Sequence, residues 1–196
     1  MNKITTIIFD FGDVLVQDLV HVFERKYKLD KLNKTQRKQY DKILHLAETG
    51  KIPTLTYLKA NTTFLAPHLS PKEIENYFLS AKLLPPIKLL PILKKHYRLA
   101  ILSNNQKSWP QKFLKKINLP ILNSIPFFNS AVIGLRKPHK DIYKVALKKL
   151  KVHANECVFI DDKPENIKPA KDLGLHTIIY KQNISNLKKQ LKKLLG

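Results

Sequence analysis

IIFDFGDVLV, residues 7–16, holds the reading of the fold. A short apolar, β-branched run from Ile4 to Phe9 stops at a carboxylate, Asp10, and Phe11-Gly12-Asp13-Val14 follow. Runs of this kind recur at Leu99 to Leu102, Phe127 to Val132, Cys157 to Ile160 and His176 to Tyr180, and each reads as a strand. Between the later runs lie amphipathic stretches of helical period, Gln106 to Ile117, His139 to Leu150 and Pro164 to Leu173. Strands that alternate with helices imply parallel pairing, right-handed crossovers and helices on both faces of one sheet, a three-layer α/β fold. Gly174 reads as a helix C-cap before the last strand, and Asn186 as the N-cap of a terminal Lys/Leu helix.

The interval from Val16 to Leu84 breaks this rhythm, for it carries helical periodicity and no convincing strand. Helices are expected near Leu19 to Tyr27, Lys34 to Glu48, Thr54 to Phe64 and Pro71 to Ala81, with Gly50, Pro53, Pro67 and Ser70-Pro71 as punctuation. Pro85-Pro86 then starts the return, through a helix from Ile87 to His96. Residues 16–84 thus read as a helical insert, between 1–15 and 85–196 of the sheet-bearing core.

With 43% hydrophobic residues over 196 positions, the chain can bury a real core, which excludes a wholly disordered protein. No apolar run approaches the roughly 20 residues of a spanning helix, and the N-terminus lacks a secretory h-region. Cys157 is the single cysteine, so neither an intramolecular disulfide nor a Cys-based zinc cluster can form. Both features point to a cytoplasmic protein. The 36 Lys+Arg outnumber the 15 Asp+Glu, for a formal charge of +21. Most are lysines interleaved with Leu and Ile at helical spacing, as in LKKQLKKLLG, and read as solvated helix faces. Charge of this kind permits nonspecific contact with nucleic acid, but no recognition-helix, zinc-finger or stacking pattern supports a dedicated reader. Oligomeric state leaves no signal.

Ligands of open parallel sheets bind beyond the carboxyl ends of the strands. The first strand ends in Asp10, the second in Ser103-Asn104-Asn105, and the fourth in Asp161-Asp162 with Asn166 shortly after, while Arg136-Lys137-Pro138 introduces a helix. Each cluster alone has an ordinary explanation as a turn or a helix cap. Brought together, they would gather several carboxylates, one lysine and small hydrogen-bonding side chains. Carboxylates that close repel one another, and an oxygen-preferring divalent cation, Mg²⁺ above all where phosphate is involved, relieves the repulsion.

These residues resemble the haloacid dehalogenase-like (HAD) hydrolase superfamily. IIFDFGDVLV is similar to its first motif, LAILSNN to its second, GLRKP to its third and VFIDDKPENI to its fourth, in the same order and across essentially the whole chain. The resemblance implies a Rossmann-like core with a small helical cap inserted after the first strand. The DDxxxN form of the fourth motif and the IKPAKDLG continuation look most like the sugar-phosphate phosphatase and epoxide-hydrolase N-terminal branch. It further implies that Asp10 is the nucleophile of an aspartyl-phosphate mechanism acting on a small phosphorylated metabolite. Mg²⁺ would be held by Asp10, the Gly12 carbonyl and Asp162, with Asp161 and Asn166 in support. Ser103 and Asn104 would bind phosphoryl oxygens, and Lys137 would neutralise their charge.

The chain departs from the phosphatase pattern at one position. The acid that protonates the leaving group stands two residues after the nucleophile, where this sequence has Gly12, and the next acid is Asp13. Asp13 is therefore the candidate substitute. Two other readings stay open: a dehalogenase, which attacks carbon through the same Asp10 without a metal, and a catalytically weak member that serves as a binding protein.

Overall fold

A computed structural model of the chain describes residues 3–196. The first apolar run forms β1 (Thr6–Phe9), and all four of its residues are buried, as expected of a strand covered on both faces. With β2 (Arg98–Ser103), β3 (Phe127–Asn129), β4 (Cys157–Asp161) and β5 (His176–Ile179) it builds one sheet of order β3-β2-β1-β4-β5, parallel throughout. The chain moves outward from β1 through β2 to β3, then crosses back to β4 on the other side. That reversal opens a crevice at the carboxyl ends of the central strands. Phe9 is in register with Ile160, so Asp10 and Asp161 leave the sheet side by side.

Period-two alternation sends the strand residues to two cores. Ile7, Phe9, Ile101, Val158 and Ile160 face Phe113 of α6 (Trp109–Ile117) and Leu187 and Leu191 of α11 (Ile184–Leu195) in one cluster. Ile8, Ala100, Leu102 and Phe159 face α9 (Lys140–Leu150) and α10 (Pro164–Asp172) in the other, where Ile142, Tyr143, Ala146 and Ala170 are buried.

Between β1 and β2 run α1 (Leu19–Lys26), α2 (Lys34–Glu48), α3 (Thr54–Phe64) and α4 (Pro71–Phe78). Their starts follow from the sequence. Asp18 caps α1, Asn33 and Gln36 form a capping box on α2, and Ser70 with Glu73 forms another on α4, where Pro71 takes the first turn. The helices pack around Tyr40, whose hydroxyl lies 3.1 Å from Glu24 Oε1, 3.0 Å from Asn61 Oδ1 and 3.3 Å from the Tyr57 hydroxyl. Among the described residues no helix is long and apolar enough to cross a membrane.

Three expectations are corrected. The run from Phe127 to Val132 is strand only to Asn129, whose side chain accepts from Ala131 N–H and turns the chain into α8 (Ser130–Ile133). The helix expected from Ile87 to His96 is a 3₁₀ turn over Pro85–Leu89 followed by α5 (Leu90–Leu93), because Pro85, Pro86 and Pro91 withhold the donors a continuous helix requires. The terminal helix is capped by Asn183, which accepts from the backbone N–H of Asn186.

Gly50 follows α2 at φ +68°, and a Cβ there would stand 2.0 Å from the carbonyl oxygen of Ala131 in α8. Gly50→Ala is therefore expected to destabilise the fold by about 2–4 kcal/mol, from the left-handed backbone and the overlap together. Urea denaturation measures it, and an unchanged midpoint would mean that the contact between α2 and α8 yields freely.

Candidate active site

Lys137 organises the crevice. Its side chain is 1% exposed, with Nζ 2.8 Å from Asp10 Oδ1 and 2.6 Å from Asp161 Oδ2. Its backbone is held by Asn104, whose side-chain oxygen accepts from Lys137 N–H while its amide donates to Lys137 C=O, each at 2.9 Å. The Asn104 side chain thus positions the lysine, and the residue also lines the cavity. Asp10 is fixed in turn: its N–H donates to Ile160 C=O, and Phe11 N–H donates to its Oδ1 at 2.6 Å.

Asp161 is fully buried, and both its oxygens are engaged. Lys163 N–H donates to Oδ1 at 2.8 Å, Lys137 donates to Oδ2, and the Asn166 amide spans both at 3.0 and 3.1 Å. Asn166 is anchored by the Tyr143 hydroxyl, which donates to its carbonyl at 2.8 Å. Asp162 differs: its Oδ1 is buried without a hydrogen-bond partner. Oxygens of Asp10, Asp161 and Asp162 all lie within 4.8 Å of one another.

The electrostatics reflect this crowding. Burial raises the Asp10 carboxyl to about 7, against the pull of the Lys137 ammonium and with the added push of Asp161 and Asp162. Burial and then Asp161 raise Asp162 to about 6. Burial would lower the Lys137 ammonium, yet Asp10 and Asp161 together hold it above the usual lysine value. An orphaned buried carboxylate oxygen beside two further carboxylates is a donor set that fits a hard, oxygen-liganded divalent cation.

Asp10, Gly12, Ser103, Asn104, Lys137 and Asn166 line one cavity, so six of the nine residues singled out in the sequence share a wall. Ser103 Oγ accepts from the Asn105 amide at 2.7 Å, which leaves its own O–H to donate. Asp161, Asp162 and Asp13 stand outside that wall. Asp13, at φ +52°, turns its Oδ1 to the backbone N–H of Asp18 at 2.9 Å.

The helices between β1 and β2 close the opposite side through His21, Leu44, Glu48 and Phe78. On these helices His21 and Glu48 reach the cavity, while Phe23 and Tyr57 are buried in the core. Asp18, Trp109 and Lys163 also line it and were not foreseen. Lys163 directly follows the Asp161-Asp162 pair, a signal that could have found it; Asp18 reads only as a helix cap.

The haloacid dehalogenase-like hydrolase family matches residues 4–174. Bifunctional epoxide hydrolase 2 of Rattus norvegicus is 35% identical over 106 residues, 53% of this chain and 19% of that protein. Glyceraldehyde 3-phosphate phosphatase of Methanocaldococcus jannaschii is 40% identical over 58 residues, 27% of this chain and 25% of that protein. The chain thus spans a quarter or less of these curated relatives. A HAD family enzyme from Bacteroides thetaiotaomicron, crystallised in complex with magnesium and inorganic phosphate, superposes with a TM-score of 0.72 at 24% identity, covering 94% of this chain and 98% of that one. At that identity the likeness speaks for the fold. The family match runs from β1 through α10 and takes in every member of the carboxylate–lysine cluster, and the chain belongs to the haloacid dehalogenase-like hydrolases.

Proposed function

We infer that this hydrolase is a Mg²⁺-dependent phosphatase of small phosphorylated metabolites, with Asp10 as its nucleophile. The observation that carries the reading is the buried, unpartnered Oδ1 of Asp162 in a cluster with Asp10 and Asp161. Displacement of halide from carbon has no use for such a donor set. A phosphatase among the relatives, and the magnesium and phosphate bound by the Bacteroides enzyme, support the same class.

In this reading an Asp10 oxygen attacks phosphorus, the bond to the leaving oxygen breaks, and water then cleaves the aspartyl-phosphate. Asp10 and Asp162 would hold Mg²⁺, with the Gly12 carbonyl beside them. When bound, the ion supplies charge neutralisation between the nucleophile and the phosphoryl oxygens. Lys137 orients Asp10 and opposes the phosphoryl charge, Ser103 donates its O–H to a phosphoryl oxygen, and Asn166 fixes Asp161. Residues 16–84 act as a cap, whose His21, Leu44 and Glu48 meet the leaving group and exclude water from it.

The test is release of inorganic phosphate from a panel of phosphomonoesters with and without Mg²⁺. Release that depends on Mg²⁺ is expected, and chloride release from a 2-chloro acid with no metal requirement would reverse the reading. Asp162→Asn is expected to raise the Mg²⁺ concentration for half-maximal activity by at least about tenfold. An unchanged Mg²⁺ titration would transfer the ligand role to Asp161.

A further inference from the structure

Alkyl and sugar phosphates need a proton on the departing oxygen, and the cavity must hold a group able to give it. Glycine at position 12 leaves a space two residues past the nucleophile, and a carboxylate from farther along the chain occupies it. Asp18 Oδ2 lies 3.3 Å from the point where a Gly12 Cβ would stand. Its other oxygen, Oδ1, is pinned at the start of α1 by the backbone N–H groups of Val20 at 3.0 Å and His21 at 3.4 Å. Oδ2 is left facing His21 Nε2 at 3.6 Å, beyond hydrogen-bond length. The side chain is 21% exposed, in the cavity wall.

Of the other acids and bases nearby, Asp162 belongs to the carboxylate cluster read as holding the metal, and His21, Asp161 and Asp13 are already hydrogen-bonded. Glu48, on the helical side of the cavity, is ion-paired, its Oε2 3.1 Å from Arg136 Nη2 though without a hydrogen bond. His21 is held at both ring nitrogens, Nδ1 by Glu24 at 3.0 Å and Nε2 by Lys163 at 2.7 Å. Asp161 has no free oxygen. Asp13 gives its Oδ1 to Asp18 N–H, so it sets the loop that carries Asp18 instead of reaching the cavity.

We propose that Asp18 is the proton donor to the leaving group and the base for the attacking water, the work for which position 12 carries no side chain; the assignment rests on the phosphatase reading. As the Asp10 oxygen bonds to phosphorus, the bond from phosphorus to the leaving oxygen breaks, its electron pair stays on that oxygen, and the Asp18 carboxyl proton passes to it. In the second half, water adds to phosphorus, Asp18 takes one of its protons, and the bond from phosphorus to Asp10 breaks to restore that carboxylate. The proton taken from water in one turnover is the one delivered in the next. Asp13 is a positioning residue in this scheme.

Pre-steady-state kinetics of Asp18→Asn and Asp18→Ser test it, on p-nitrophenyl phosphate and on the best alkyl phosphate of the panel. Both substitutes can cap α1, so the helix is retained. A nitrophenolate departs without a proton, so the variants should release about one equivalent of it in a burst near the wild-type rate and then slow, because the water is no longer activated. The first turnover of the alkyl phosphate should instead fall by about 10²–10⁴-fold. Equal slowing of both first turnovers, or no slowing of the alkyl phosphate, overturns the assignment alone. A wild-type protein that frees phosphate from neither substrate overturns the phosphatase reading, and the assignment with it.

Discussion

Asp10→Asn is expected to lower turnover by about 10⁴–10⁶-fold while leaving the fold intact or slightly more stable. The amide cannot form the bond to phosphorus that the carboxylate forms, and its neighbours have other work: both oxygens of Asp161 are engaged, and Asp162 is the proposed metal ligand. The fold survives because an Asn side-chain oxygen can still accept from Phe11 N–H, now 2.6 Å from Asp10 Oδ1. Lys137 retains Asp161 as its counter-charge. Stability is preserved for an electrostatic reason. Burial, Asp161 and Asp162 all disfavour the Asp10 anion, so removing that charge relieves repulsion at the cluster. Phosphate release measured beside a thermal melt gives both halves of the result. Retained turnover in a variant that melts normally would sink Asp10 as nucleophile.

How far these features could be read in advance depended on the range of the interactions that create them. β1 and β4 are buried apolar runs ended by carboxylates, and burial on both faces writes itself into the sequence. The capping boxes at Asn33 and Ser70 are local too, set by residues three positions apart. The end of β3 was misread because Val132 has strand propensity, whereas the cap that overrides it is a single side chain, Asn129. At the site, Asp10, Lys137 and Asp161 were legible because they share the carboxyl edge of the sheet. Asn104 was recognised, but its partner proved to be the Lys137 backbone, 33 positions away, a pairing only the folded chain defines. Asp18 was hidden for a different reason. It performs an ordinary job as the α1 cap with one oxygen, and only the space beside Gly12 shows where the other oxygen lies.

Lys137→Met is expected to destabilise the protein by about 3–5 kcal/mol, a large share of the stability of a domain this size. Methionine fills much of the same volume, so packing is nearly conserved and the change is chiefly one of charge. Asp161 would remain fully buried with its bonds from Asn166 and Lys163 N–H but without its cation, and Asp10 would lose its ion pair as well. The deficit should depend on pH in a definite direction. Asp10 already has a raised folded-state pKa, and removing the lysine that opposes the shift raises it further. A raised carboxyl favours the folded state at low pH, where it is protonated in both states. That advantage is lost as pH climbs from the unfolded value of 3.8 through the folded value, which in the variant lies above about 7. Urea denaturation of variant and wild type should therefore show a gap that is small near pH 4 and widest above pH 8. A gap of equal size at both ends would mean that lost packing, not the unpaired carboxylates, carries the destabilisation, and a stable variant at pH 8 would remove Lys137 from the centre of the electrostatic account.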